Sequence, residues 1–215
     1  MEKLKVICGH FGSGKTEIAI NLAKEKENSV IVDLDTVNPY YRTAELRDKL
    51  ERDGVRVIAS EFAASNVDMP TLPAEIISVF NHAGPAVIDV GGDDDGAFAL
   101  GRYKQYFNMR DYELYFVICA TRPLTKTADD IIEMMQNIEG ASRLKITHLI
   151  NNTHLAQFTD KETVLKGQKV AQEVSRRTGI PILFTAVRED LKDEIEKLID
   201  NPVYGIKLYI NLERK

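Results

Sequence analysis

Leu4-Lys5-Val6-Ile7-Cys8-Gly9-His10-Phe11-Gly12-Ser13-Gly14-Lys15-Thr16 runs from a short apolar stretch through a glycine-rich turn into a segment of helical period. From Gly9 to Thr16 the letters fit G-x-x-x-x-G-K-[ST], the phosphate-binding loop, in the strand-to-helix context which that motif requires. The chemistry accounts for the letters. A polyphosphate is gripped by several backbone N–H groups aimed at one point, and such a turn needs residues without a Cβ, hence Gly9, Gly12 and Gly14. The same anion then meets the positive end of the following helix. On this reading Gly9, His10, Phe11, Gly12, Ser13 and Gly14 cradle a nucleotide. Lys15 neutralises its β- and γ-phosphates, and the Thr16 hydroxyl takes a position on Mg²⁺.

Outward from the loop, short apolar or β-branched runs alternate with longer helical segments, the pattern of repeated βαβ units. Strands are expected at Leu4–Cys8, Val30–Leu34, Arg56–Ala59, Ala86–Val90, Leu114–Cys119, Ile146–Ile150 and Ile182–Phe184, with a further edge strand after Pro202. Helices are expected at Lys15–Lys26, Thr43–Asp53, Leu72–Ala83, Ala97–Phe107, Thr125–Ile138, Asp160–Thr178 and Glu189–Asp200. A capping box Thr159-x-x-Glu162 opens one of them, and Gly179-Ile180-Pro181 follows its end. The longest stretch without period is Ser60–Pro73, either a surface crossover or a loop that touches a partner or substrate. The fold class is therefore α/β: one domain over residues 1–215, with a mostly parallel sheet of seven or eight strands and helices on both faces.

Composition agrees with one ordinary globular domain: 215 residues, 44% hydrophobic and 28% charged. A net charge of −5 gives no global field that would draw the chain onto nucleic acid or an anionic membrane. Only Cys8 and Cys119 are present, each inside an apolar run, so they read as small buried hydrophobes in a reducing, cytoplasmic compartment. No stretch approaches 18 uninterrupted apolar residues, and no basic amphipathic segment suggests a membrane anchor. The four histidines show no metal-ligand spacing with either cysteine. Tyr40, Tyr41, Tyr103, Tyr106 and Tyr112 are scattered aromatics that fit core packing better than a partner surface.

A nucleotide site needs carboxylates beside the loop, from the ends of neighbouring apolar strands. Ala86-Val87-Ile88-Asp89-Val90-Gly91-Gly92 supplies Asp89 for Mg²⁺, and Gly92, whose N–H is placed to sense a γ-phosphate; an acidic turn ending a strand is the bland alternative. Asp93, Asp94 and Asp95 follow as a solvated, helix-capping acidic loop. Val32-Asp33-Leu34-Asp35 ends the second strand, and Asp35 there either reaches the metal and orients the attacking water or caps the turn before Asn38-Pro39. Guanine recognition through N-K-x-D needs a carboxylate at its fourth position. Here the run is Asn151-Asn152-Thr153-His154, so adenine is preferred.

The GHFGSGKT loop, the VDLD and AVIDVGGD segments and the His148-Leu149-Ile150-Asn151-Asn152 strand end together resemble the MinD/ParA group of P-loop ATPases, over nearly the whole chain. The resemblance implies ATP and Mg²⁺ across the carboxyl edge, an Asp at position 35 that helps activate water, and an adenine contact at Asn151 or Asn152. It also favours a homodimer. Many members carry a signature lysine directly after the first glycine of the loop, where this chain has His10, a shorter side chain that is largely neutral at pH 7. Three functions are weighed. The first is an Mg-ATP-dependent ATPase whose segments around Asp35–Arg42 and Asp89–Gly96 switch shape for a protein partner. The others are a small-molecule kinase or ligase with an acceptor pocket near Asn66–Thr71 and Arg42, and a nucleotide-sensing scaffold with little hydrolysis.

Overall fold

The computed structural model describes residues 2–35, 47–59 and 74–210. Within them one sheet contains β1 (Leu4–Gly9), β2 (Val30–Leu34), β3 (Arg56–Ala59), β4 (Ala86–Val90), β5 (Tyr112–Ile118), β6 (His148–Asn151), β7 (Ile182–Arg188) and β8 (Val203–Ile206). Its spatial order is β3-β2-β4-β1-β5-β6-β7-β8, and each neighbouring pair is parallel. Parallel neighbours need crossovers, which carry α1 (Lys15–Lys24), α2 (Arg47–Arg52), α3 (Ala74–Phe80), α4 (Asp93–Gly101), α5 (Ala128–Ser142), α6 (Lys161–Thr178) and α7 (Lys192–Ile195).

Both sheet faces are buried, which is why the central strands are almost continuously apolar. On one face Leu4, Val6, Val32, Ile88, Phe116 and Leu149 pack against Phe80 of α3, Leu100 of α4, Ile131 of α5 and Val174 of α6. On the other, Ile7, Ile31, Val87, Val117 and Ile150 pack against Ile18, Ile20 and Ala23 of α1 and Leu50 of α2. Each fully buried side chain of this size contributes about 1.5–3 kcal/mol. The expected aromatic packing is present at Tyr103, which is buried, and at Tyr106 and Tyr112, which are half-buried against the same core; Phe80 and Phe107 join them with rings edge to face at 4.9 Å, and Tyr40 and Tyr41 lie outside the described residues.

Strand order reverses at β1, whose neighbours β4 and β5 lead to opposite halves of the sheet. A crevice opens at the carboxyl ends of strands at such a point, and the glycine loop begins there.

Several expected boundaries shift for identifiable reasons. The helix expected from Ala97 instead starts at Asp93, so the three aspartates belong to α4 rather than to a loop before it, and Tyr106–Asn108 forms a separate 3₁₀ turn. The capping box expected at Thr159 is displaced by one residue: Asp160 caps α6 by accepting from Thr163 N at 2.8 Å, while the Thr159 hydroxyl donates to Ala156 O. A capping box does occur at α5, between Thr127 and Asp130. The helix expected over Glu189–Asp200 is a 3₁₀ turn followed by the short α7. The start of the Thr43–Asp53 helix, the stretch Ser60–Pro73, and the proposed acceptor residues at 42 and 66–71 lie outside the described residues.

Beyond β8 the chain returns along α1. Asn21 pairs with the Lys207 backbone twice, donating to its O at 2.9 Å and accepting from its N at 3.0 Å. The Glu17 carboxylate accepts from Tyr209 N at 3.0 Å and Ile210 N at 2.7 Å.

Candidate functional site

The loop between β1 and α1 has the backbone its glycines were expected to allow: φ is +139° at Gly9, +74° at Gly12 and +84° at Gly14. At all three a side chain would be strained, and two of them leave no room for one. A Cβ at Gly9 would lie 2.6 Å from Val117 O on β5, and one at Gly14 would overlap the Asn152 amide. Ser13 N donates to His10 O at 3.2 Å, closing the turn. Lys15 is buried, and its ammonium donates to His10 O at 3.0 Å, inside the loop it would share with a phosphate. Gly14, which has no side chain of its own to cap with, stands at the N-cap of α1.

Strand parity delivers the carboxylates. Ile31 and Val87 face α1, so Asp33 and Asp89, two residues further along each strand, continue toward the same face, and the two are direct partners across the β2–β4 pair. Asp33 Oδ1 accepts from Asp35 N at 2.9 Å and so caps the end of β2, whereas the turn before Asn38-Pro39, which Asp35 was the alternative candidate to cap, lies outside the described residues. Asp35 lies against the β4 end: a Cβ at Gly91 would stand 3.2 Å from Asp35 Oδ1. Gly92 in turn abuts the loop, with Phe11 N and Cα each 3.0 Å from where its Cβ would be. Asp33, Asp35 and Asp89 are all buried, at the same edge as Lys15 and Thr16.

The same parity separates the two asparagines. Asn152 follows Ile150 on the α1 face, and its Nδ2 donates to Ser13 O at 2.8 Å. Asn151 follows Leu149 on the other face, fully buried; its Nδ2 donates to Gln168 Oε1 at 3.2 Å and its Oδ1 accepts from Thr153 N at 3.2 Å. Gln168 also accepts from the Thr185 hydroxyl at 2.6 Å and donates to Asn201, which ties β6, α6 and β7 together. His154 lies beside the loop, its Nε2 3.4 Å from where a Cβ of Gly14 would be.

Three contributors escaped the sequence reading because they sit on loops with no spacing signature. Arg122 Nε donates to Gly12 O at 3.0 Å; the Thr121 hydroxyl donates to His154 O at 2.7 Å; the Thr153 hydroxyl accepts from Ala120 N at 3.1 Å. Their one signal was position, just beyond β5 and β6, the two strands next in order to β1 on that side of the sheet. The cysteines also differ. Burial pushes the Cys8 thiol up to about 12. Burial acts on Cys119 in the same direction but is outweighed by hydrogen bonding and charge from His154 and a hydrogen bond with Thr121 (Sγ to Oγ1, 3.2 Å), leaving that thiol lowered to about 6.

The donors at this edge suit Mg²⁺. Among the described residues no three or more His, Cys, Asp or Glu side chains gather to hold a metal ion by themselves. Mg²⁺ bound to a nucleotide takes only one or two protein ligands, completing its shell with phosphate and water oxygens, and the Thr16 hydroxyl and Asp89 carboxylate are donors of that kind.

Neither protein-family models nor curated proteins give a match to this chain. Solved structures do. The cell division protein FtsY of Thermotoga maritima aligns at 21% identity and a TM-score of 0.57, over 87% of this chain and 62% of its own. The signal recognition particle receptor FtsY of Elizabethkingia anophelis aligns at 19% identity and a TM-score of 0.54, over 90% and 61%. This chain thus spans about three fifths of the FtsY structures it matches. A putative plasmid partition protein of Borrelia burgdorferi, bound to AMPPNP, aligns at 16% identity and a TM-score of 0.58, over 93% of this chain and 92% of its own. Among the described residues no helix is long and apolar enough to cross a membrane. With its loop, strand order and neighbours taken together, the chain has the fold of the P-loop NTPases, of the kind to which the MinD/ParA resemblance pointed.

Proposed function

We propose that the chain binds Mg-ATP, hydrolyses it, and uses the change from ATP to ADP to alter its shape for a protein partner. One observation carries the reading: three left-handed glycines wrap a buried lysine at the positive end of α1, beside buried carboxylates on adjoining strands. Lys15 would exchange its contact with His10 O for the β- and γ-phosphates, and the loop amides would hold the charge that grows on the transferring group. Thr16 and Asp89 would hold Mg²⁺, which when bound neutralises phosphate charge. Asp35 would orient the water that attacks the γ-phosphorus as the bond to the β-phosphate oxygen breaks. The Gly92 N–H, seated against Phe11, would meet the γ-phosphate and lose that contact on hydrolysis.

Adenine is the proposed base, because position 154 is a histidine and offers no carboxylate to guanine. The Asn151-Asn152 turn would meet it, with Asn151 fixing the turn from the core side and Asn152 joining it to the loop. The reading places the chain in the cytoplasm, from its two free thiols, and leaves a homodimer as the assembly that resemblance favours.

Single-turnover hydrolysis of ATP and GTP by the parent and by Lys15→Ala tests the proposal. The variant is expected to lose at least on the order of a hundredfold in rate. Parental turnover in Lys15→Ala removes the reading, and turnover that requires an added metabolite replaces the switch with a kinase.

A further inference from the structure

Arg122 is held over the phosphate loop in a manner that its role in folding does not exhaust. Its backbone is fixed from both sides: Arg122 N donates to Cys119 O at 3.1 Å, Thr125 N donates to Arg122 O at 3.2 Å, and the buried Thr125 hydroxyl donates to Cys119 O at 2.8 Å. The next residue, Pro123, opens a 3₁₀ turn that gives this short loop one course. The guanidinium lies flat on the loop, with Cζ and Nε each 3.3 Å from where a Cβ of Gly12 would stand, and Nε donates to Gly12 O. Gly12 therefore serves twice, once for its left-handed φ and once because a side chain there would press on the guanidinium and move it by a few tenths of an ångström.

A guanidinium has five N–H donors, and the contact with Gly12 uses one. Among the described residues Arg122 has no carboxylate partner. Other arginines of the chain are committed elsewhere: Arg110 to three backbone carbonyls, Arg188 to Asp190 and Arg177 to Asp129. A half-buried, permanently charged fork, pinned at one nitrogen beside a loop built for polyphosphate, is complementary to a multiply charged oxyanion.

We infer that Arg122 is a phosphate-binding residue of this site, whose outer N–H groups contact the terminal phosphate of a nucleoside triphosphate held in the Gly9–Thr16 loop. The inference rests on the nucleotide-binding reading above and deepens it by naming a ligand to the γ-phosphate from the β5–α5 loop. On this inference Arg122 separates triphosphate from diphosphate, because the phosphate it contacts is absent from the diphosphate.

The test measures affinity for AMPPNP and for ADP, with Mg²⁺ present, in the parent, Arg122→Gln, Arg122→Lys and Arg122→Ala, alongside a thermal melt of each protein without nucleotide. Arg122→Gln retains an amide donor for Gly12 O and removes the charge, so it separates bracing from phosphate binding. Arg122→Gln and Arg122→Ala are expected to weaken AMPPNP at least about tenfold while ADP changes less than about threefold. Arg122→Lys recovers part of the loss. Equal weakening of both nucleotides, or no change in either, overturns the inference. A parent that binds neither nucleotide overturns the underlying reading with it, whereas a parent that binds both beside an indifferent Arg122→Gln overturns the inference alone.

Discussion

The phosphate loop has two flanks, and the chain builds them by opposite rules. On the β5–β6 side, Arg122 holds Gly12 O, Asn152 holds Ser13 O, and Gly9 packs against Val117. The helices that leave this side are capped by side chains, α5 by Thr127 and α6 by Asp160. On the β2–β4 side the neighbours are Asp33, Asp35 and Asp89 and the glycines at 91 and 92, and α4 starts from Gly92 with no side-chain cap. One flank fixes the shape of the anion hole before any anion arrives, which is what electrostatic preorganisation requires. The other concentrates negative charge where a phosphate and its metal would appear and disappear.

The contrast breaks most decisively at Gly14. Alanine there must adopt φ near +84° and displace the Asn152 amide, so nucleotide affinity is expected to fall more than about a hundredfold in an equilibrium titration. Combining it with Asn152→Ala removes the overlap but not the strained φ, and is expected to restore melting temperature more than affinity.

Asp89→Asn probes the opposite flank. Mg²⁺-dependent hydrolysis should drop on the order of a hundredfold while binding of ADP without metal is retained; equal loss of both would place Asp89 in the scaffold instead. Asn152→Ala alone removes one brace. A loss of about 1 kcal/mol in denaturant unfolding is expected, with nucleotide affinity lowered several-fold.

The last effect is a pH slope. The Cys119 thiol titrates at about 6 in the fold and at its ordinary 9.0 once unfolded, so between those values the unfolded chain binds more protons. Stability should therefore rise with pH across this window and be lost as pH falls through about 6. Cys119→Ser should flatten that slope in denaturant midpoints, and Cys8→Ser should leave it, because the Cys8 thiol is pushed the other way, to about 12.

Much of this was written in the letters, for reasons that particular elements make plain. β2, β3 and β4 fall at their expected residues because each is a run of β-branched residues bounded by a turn. The loop was legible because its backbone can be made by few residues other than glycine. Parity placed Asp33 and Asp89 together once β2 and β4 were known to be neighbours, but neighbourhood is not in the letters, since β4 follows β3 in the chain and lies between β2 and β1 in the sheet. The same parity turned Asn151 away from Asn152, a distinction that two identical adjacent residues do not announce. Asp160 displaced Thr159 as the cap because both fit the position and the Thr159 hydroxyl had a carbonyl closer to hand. Arg122 was illegible because its partner is 110 residues away and no motif joins them.

That distance has a kinetic consequence. The brace on Ser13 spans 139 residues and the clasp of Asn21 on Lys207 spans 186, so β1 and α1 wait through synthesis of that much chain before their contacts can close. Closing such long loops is slow, and parallel sheets are among the slower topologies to assemble. A nascent chain that ends before residue 152 carries the whole glycine motif with one of its braces missing. The ability to grip a polyphosphate should thus emerge late in synthesis, and retention on an immobilised nucleotide would report a finished fold more faithfully than it reports the presence of the motif.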